Sequence, residues 1–112
     1  MRRLEGWAAA LVKDKGALAV ILFGSLARGD QTAASDADVV VILAESSLPF
    51  RERIPPLLPS GLGVGVDLFP YTLEEARAAW RDGSGVLPVA LKEGLFLAGD
   101  RESFLLALQT SV

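Results

Sequence analysis

Three aspartates carry the clearest chemical signal in this chain of 112 residues: Asp36, Asp38 and Asp67. Asp36 and Asp38 are two positions apart at the head of the apolar run Asp38-Val-Val-Val-Ile-Leu43. In a strand, side chains alternate between faces, so the two carboxylates point the same way. Their Cα atoms stand about 6.6 Å apart at a rise of about 3.3 Å per residue. Asp67 interrupts a second apolar run, Gly63-Val-Gly-Val-Asp-Leu-Phe69. A lone charge there is costly unless it is paired or binds a metal. Gly65, on the same face as Asp67, leaves room for a ligand or another backbone. If the two strands pair, the three acids converge. Three close carboxylates repel one another, and one tends to keep a proton. A hard cation such as Mg²⁺ removes the conflict, typically through one or two carboxylates plus substrate phosphates. Two such ions can clamp an in-line phosphoryl displacement.

A phosphate-binding element lies just upstream, in Leu22-Phe-Gly-Ser-Leu-Ala-Arg-Gly29. Gly24 ends an apolar run and lets phosphates approach the backbone. Ser25 can cap a short helix or donate to a phosphate oxygen, and free N–H groups at a helix start favour an anion. Arg28, about one helical turn on, offers a fork of donors. Each feature alone is ordinary: Gly-Ser is commonly a turn, Asp-x-Asp commonly a solvated cap, and Asp67 or Arg28 a surface ion. Their order and proximity are not.

The surrounding pattern predicts the elements that position these groups. Leu4, Trp7, Ala8, Leu11 and Val12 recur at helical spacing and end near Lys15-Gly16. Leu18 to Phe23 reads as a strand buried on both faces. Asp38 to Leu43 is a second strand, with Val40 and Ile42 on the aspartate face. A helix is expected from Ser46 or Ser47, stopped by Pro55-Pro56 and Pro59. The third strand, Gly63 to Phe69, is expected to close at Pro70. Thr72-Leu-Glu-Glu75 fits a capping box before a helix that ends near Asp82-Gly83. Val86 to Glu93 reads as a short helix, Leu95 to Ala98 as a fourth strand, and Phe104, Leu105 and Leu108 as part of a last helix. The expected class is α/β (α+β): a small mixed sheet flanked by helices, in one domain spanning 1–112.

Composition excludes other chemistries. Histidine and cysteine are absent, which removes histidine bases, Ser-His-Asp triads, thiol catalysis, disulfides and most zinc sites. The net charge of −3 and the lack of any Lys/Arg run argue against long nucleic acid as a partner. The longest apolar run is far short of a membrane span, and no signal peptide is evident, so a cytoplasmic protein is expected. The chain is 51% hydrophobic with a mean hydropathy of +0.38. That leaves apolar surface for a partner chain or a second copy.

At these residues the chain resembles the nucleotidyltransferase superfamily that includes DNA polymerase beta. It looks most like the minimal nucleotidyltransferase (MNT) proteins. Their signature is Gly-Ser, ten residues, then Asp-x-Asp, and here Gly24-Ser25 is followed by Leu26 to Ser35 and then Asp36-Ala37-Asp38. Phe23-Gly-Ser-x-x-Arg28-Gly29, Val66-Asp67-Leu68 and Ala90 to Leu97 add to the likeness, which spans Leu4 to Ala98. The resemblance implies the polymerase beta-like fold and Mg²⁺-dependent transfer of a nucleoside monophosphate, commonly AMP from ATP, to a hydroxyl. By position it gives Gly24 and Ser25 to the triphosphate, Arg28 to a phosphate, and Asp36, Asp38 and Asp67 to metal and catalysis. It also implies a separate helical partner of the HEPN type, whose tyrosine the small transferase adenylylates in toxin–antitoxin pairs. The competing expectation is an antitoxin-like binding module that neutralises its partner by contact alone. The acceptor, the nucleotide and the choice between Mg²⁺ and Mn²⁺ stay open at this level.

Overall fold

The computed structural model describes residues 2–24, 27, 36–59 and 65–109. Four strands form one sheet in the order β3-β2-β1-β4. They are β1 (Ala17–Phe23), β2 (Ala37–Leu43), β3 (Val66–Thr72) and β4 (Leu95–Ala98). β1 is antiparallel to both β2 and β4, whereas β2 and β3 run parallel. The sheet is therefore mixed, as expected.

Helices cover both of its faces, which is why β1 and β2 read as unbroken apolar runs. On one face, Leu4, Ala8 and Leu11 of α1 (Arg2–Lys15) pack with Val20, Leu22, Val39, Val41 and Leu68. The short α2 (Ile54–Leu57) joins them through Leu57, and Trp7 Nε1 donates to the Leu57 carbonyl at 2.9 Å. On the other face lie α3 (Leu73–Asp82), α4 (Leu87–Glu93) and α5 (Arg101–Gln109). There Ala76, Ala79, Leu87, Leu91, Phe104 and Leu108 enclose Ala19, Ile21, Phe23, Val40 and Ile42. Pro88 falls in the first turn of α4, where its missing N–H has no helical acceptor to satisfy.

Several local expectations give way to tertiary context. No helix starts at Ser46 or Ser47; Ser46 Oγ instead accepts from Leu48 N at 3.2 Å, closing a turn. A 3-10 turn, Phe50–Arg53, leads directly into α2. Pro55-Pro56 then sit in the first positions of α2 rather than stopping a helix, because proline fits a helix start. Nor does Pro70 close β3, which continues to Thr72. β3 is an edge strand, and an edge has no partner needing the missing N–H. Its described start is Val66; positions 63 and 64 lie outside the described residues. Leu18 is 41% exposed although it lies in β1. The ladder slips between Ala17 and Ala19, and the extra residue turns outward. Val12 also lies outside the buried stripe of α1, at 38% exposed.

The capping box before α3 is present: Thr72 Oγ1 accepts from Glu75 N at 3.2 Å, and a Glu75 carboxylate oxygen accepts from Thr72 N at 2.9 Å. The same carboxylate receives both terminal nitrogens of Arg53, one of them at 3.1 Å. Arg53 is only 6% exposed and also donates to the carbonyls of Leu48 and Pro70 at 2.8 and 3.0 Å. The Arg53 guanidinium, followed by the Thr72 bonds, holds Glu75 below the usual glutamate range. A carboxyl that ionises more easily in the folded state contributes stability above its unfolded value, about pH 4.3. That contribution is lost as pH falls through the lower folded value. Acid unfolding of Glu75→Gln should accordingly show a smaller pH dependence below about pH 4.3 than wild type; equal slopes would contradict the assignment.

Gly6 lies inside α1, and a methyl group added there meets nothing within 4 Å. Gly6→Ala should raise stability by about 0.5–1 kcal/mol through helix propensity alone. A urea midpoint at or below that of wild type would count against α1 as described.

Candidate active site

The C-terminal end of β1 and the N-terminal ends of β2 and β3 meet at one end of the sheet. Phe23 stands opposite Asp38 across the β1–β2 ladder. Asp38 stands opposite Asp67 across the β2–β3 ladder. Residues in register share a face, so Asp38 and Asp67 project from the same side. Asp36 immediately precedes β2. The structure thus gathers the three sequence-selected acids at one sheet end. Beneath them, the rings of Phe23 and Phe69 pack at 5.8 Å and form an apolar floor.

Two glycines shape the space around the carboxylates. Gly24 follows β1 with φ of 79°, and a Cβ built there would collide with Asp38 Oδ2. Gly65 precedes β3, and a Cβ there would stand 2.5 Å from Asp36 Oδ1. The Gly65 carbonyl accepts from Ala37 N at 2.9 Å, which ties the first residue of β2, directly after Asp36, to the residue before β3. From the sequence, the room at Gly24 is expected to serve phosphates and that at Gly65 a ligand or another backbone. In the folded chain, the nearest occupant at each is an aspartate of the site. For Gly65 the signal lies in the sequence, two residues before Asp67 and on the same face.

The electrostatics follow from this crowding. Asp38 is half-buried, whereas Asp36 and Asp67 are exposed. Burial, then the negative charge of Asp67, then that of Asp36, push the Asp38 carboxyl above its ordinary value. The desolvation expected at Asp67 falls on Asp38 instead, because β3 is an edge strand open to water. A carboxyl with a raised folded value destabilises the fold once pH exceeds its unfolded value. Asp38→Asn should therefore leave the metal-free protein with a Tm at or above wild type at neutral pH. A clear fall in Tm would show that Asp38 has a structural partner.

Among the described residues, no three carboxylates form a ready-made metal cage. The donor set nonetheless suits Mg²⁺, which takes one or two carboxylates and completes its shell with substrate oxygens and water. Asp38 and Asp67, in register on one face with Asp36 just before β2, present that all-oxygen donor chemistry. Ser25 and Arg28 lie outside the described residues, so of the three residues expected to contact phosphate only Gly24 is described. A separate groove, bordered by Glu45, Ser46, Thr72 and Glu74, opens at the opposite ends of β2 and β3. Its charged centre is the Arg53–Glu75 pair, already satisfied internally, which leaves the aspartate end as the candidate site.

The model of the family described as "Nucleotidyltransferase domain" matches residues 7–93. The chain belongs to the nucleotidyltransferase domain family. Membership gives the reaction class of this nucleotidyltransferase: transfer of a nucleotidyl group from a nucleoside triphosphate. Among solved structures, it is similar to a toxin–antitoxin crystallised with AMP-PNP, at 28% identity and a TM-score of 0.63, covering 93% of this chain and 80% of that one. A MntA-HpeT toxin–antitoxin with two Asp-to-Glu substitutions follows at 24% and 0.60, covering 93% and 80%. A tri-AMPylated Shewanella oneidensis HEPN toxin in complex with MNT antitoxin matches at 24% and 0.56, covering 96% and 81%. At that identity the last two speak to the fold alone. Comparison with curated proteins gives no match. Among the described residues of this nucleotidyltransferase, no helix is long and apolar enough to cross a membrane.

Proposed function

We propose that this nucleotidyltransferase is a minimal adenylyltransferase of the MNT type, one domain over 1–112, acting in the cytoplasm on a tyrosine hydroxyl of a HEPN-type partner. The observation that carries the reading is the alignment of Asp38 with Asp67, with Asp36 beside them, in a chain of this family. The likeness at 28% identity to a toxin–antitoxin crystallised with AMP-PNP supports an adenine nucleotide as donor; the acceptor is taken by analogy with the AMPylated HEPN toxin held by an MNT antitoxin, whose likeness to this chain is one of fold.

In this reading Gly24 and Ser25 hold the triphosphate, and Arg28 contacts a phosphate oxygen. Asp36, Asp38 and Asp67 hold Mg²⁺, one ion or two, which supplies positive charge where negative charge develops on the phosphates. Asp67, exposed at the open edge, orients the acceptor hydroxyl and receives its proton. The hydroxyl oxygen bonds to the α-phosphorus as the bond from that phosphorus to the bridging oxygen breaks. AMP becomes esterified to the acceptor, and pyrophosphate departs with the bridging oxygen. The apolar floor of Phe23 and Phe69 lowers the local polarity beneath the carboxylates, which strengthens their hold on a cation.

The test is mass spectrometry of a HEPN partner incubated with the protein, ATP and Mg²⁺. An adduct of AMP on a tyrosine supports the reading. An unmodified partner whose toxicity is still neutralised, by wild type and by Asp36→Asn/Asp38→Asn alike, would establish the contact-only module instead.

A further inference from the structure

Gly65 differs from the other crowded glycines in what surrounds it. A Cβ at Gly94 would strike the Ala90 carbonyl, and one at Gly99 the Leu18 carbonyl, both rigid backbone. Gly24 has its positive φ as well as its collision, so any side chain there strains the backbone. At Gly65 the φ lies outside the left-handed region, and the three nearest atoms all belong to the Asp36 carboxyl, at 2.5, 3.0 and 3.4 Å. Meanwhile its carbonyl holds Ala37 N, the amide that directly follows Asp36. Gly65 therefore borders the Asp36 side chain and anchors the backbone beside it.

We infer that Gly65 is a positioning residue for Asp36: its missing side chain is the slot in which that carboxylate sits. The inference rests on the reading of Asp36 as a metal ligand. A methyl group at position 65 leaves the ladder bond and the backbone conformation untouched. The Asp36 carboxyl, the free end of an exposed side chain, must swing away. The fold survives and the ligand moves.

The test is calorimetric titration of ATP, with and without Mg²⁺, into wild type, Gly65→Ala, Asp36→Asn and the double variant, with a Tm for each. Gly65→Ala should weaken the Mg²⁺-dependent part of ATP affinity about ten- to a hundredfold, as loss of an orienting neighbour does at metal sites. Binding without Mg²⁺ and the Tm should stay near wild type. In the Asp36→Asn background the same substitution should add no further loss, since both act through one carboxylate. Undiminished affinity in Gly65→Ala beside a loss in Asp36→Asn overturns the inference. So does an additive loss in the double variant, or an alanine variant that fails to fold. If Asp36→Asn itself has no effect, the metal-ligand reading has failed and takes this inference with it.

Discussion

Asparagine at both Asp36 and Asp38 is expected to abolish nucleotidyl transfer while the protein stays folded. The substitution preserves shape, so the amide at position 38 still fits beside Gly24. What disappears is two negative charges on one side of the sheet end. Metal-assisted charge stabilisation is worth several kcal/mol, and each 1.36 kcal/mol is tenfold in rate, so kcat/KM should fall by about a thousandfold or more. Stability should move the other way. The raised Asp38 carboxyl reports burial and mutual repulsion with Asp67 and Asp36, and the double variant relieves both. A site selected for chemistry often carries such a cost, and its removal then raises Tm. Transfer within about tenfold of wild type would mean that the acids are not the catalytic centre.

The second large effect concerns stability and lies at the far end of the sheet. Glu75→Ala should destabilise the fold by about 3 kcal/mol, because it leaves a buried guanidinium without its counter-charge. The Leu48 and Pro70 carbonyls still accept from Arg53, but neither carries a charge. The cap of α3 also loses its reciprocal bond to Thr72 N. Arg53→Met should cost less. Its stranded partner has a side chain 43% exposed, which water can solvate, whereas the Arg53 side chain is 7% exposed. Urea unfolding of the two single variants and the Arg53→Met/Glu75→Ala pair measures this asymmetry. Equal costs, or a Glu75→Ala protein as stable as wild type, would contradict it.

The contrast between these two regions explains what was legible in the sequence. The acid site rests on local periodicity: alternation places Asp36 and Asp38 on one side, and Gly65, Asp67 and Phe69 on one side. Only the pairing of the two strands had to be supplied, and the parallel β2–β3 ladder supplies it. The Thr72–Glu75 capping box is likewise a four-residue pattern and needs nothing distant. Arg53 is different. It lies 22 positions from Glu75, and nothing near it announces burial or a partner. Taken locally, Pro70 and Pro55-Pro56 are stops, because proline's local effect is to interrupt. Edge position in a sheet and first-turn position in a helix are properties of the whole fold, and they reverse that reading. Leu18 belongs inside by its local pattern and lies outside for the same reason: a bulge is set by the neighbouring strand, not by the residue that it turns outward.

In the proposed function, the aspartates and the glycine-bounded strand end form one metal-dependent nucleotide site. Titration of ATP by calorimetry, with and without Mg²⁺, into wild type and Asp36→Asn/Asp38→Asn tests it most directly. Wild type should bind ATP in a Mg²⁺-dependent way, and the variant should lose that binding. Binding of equal strength in both proteins, or binding indifferent to Mg²⁺, would contradict it.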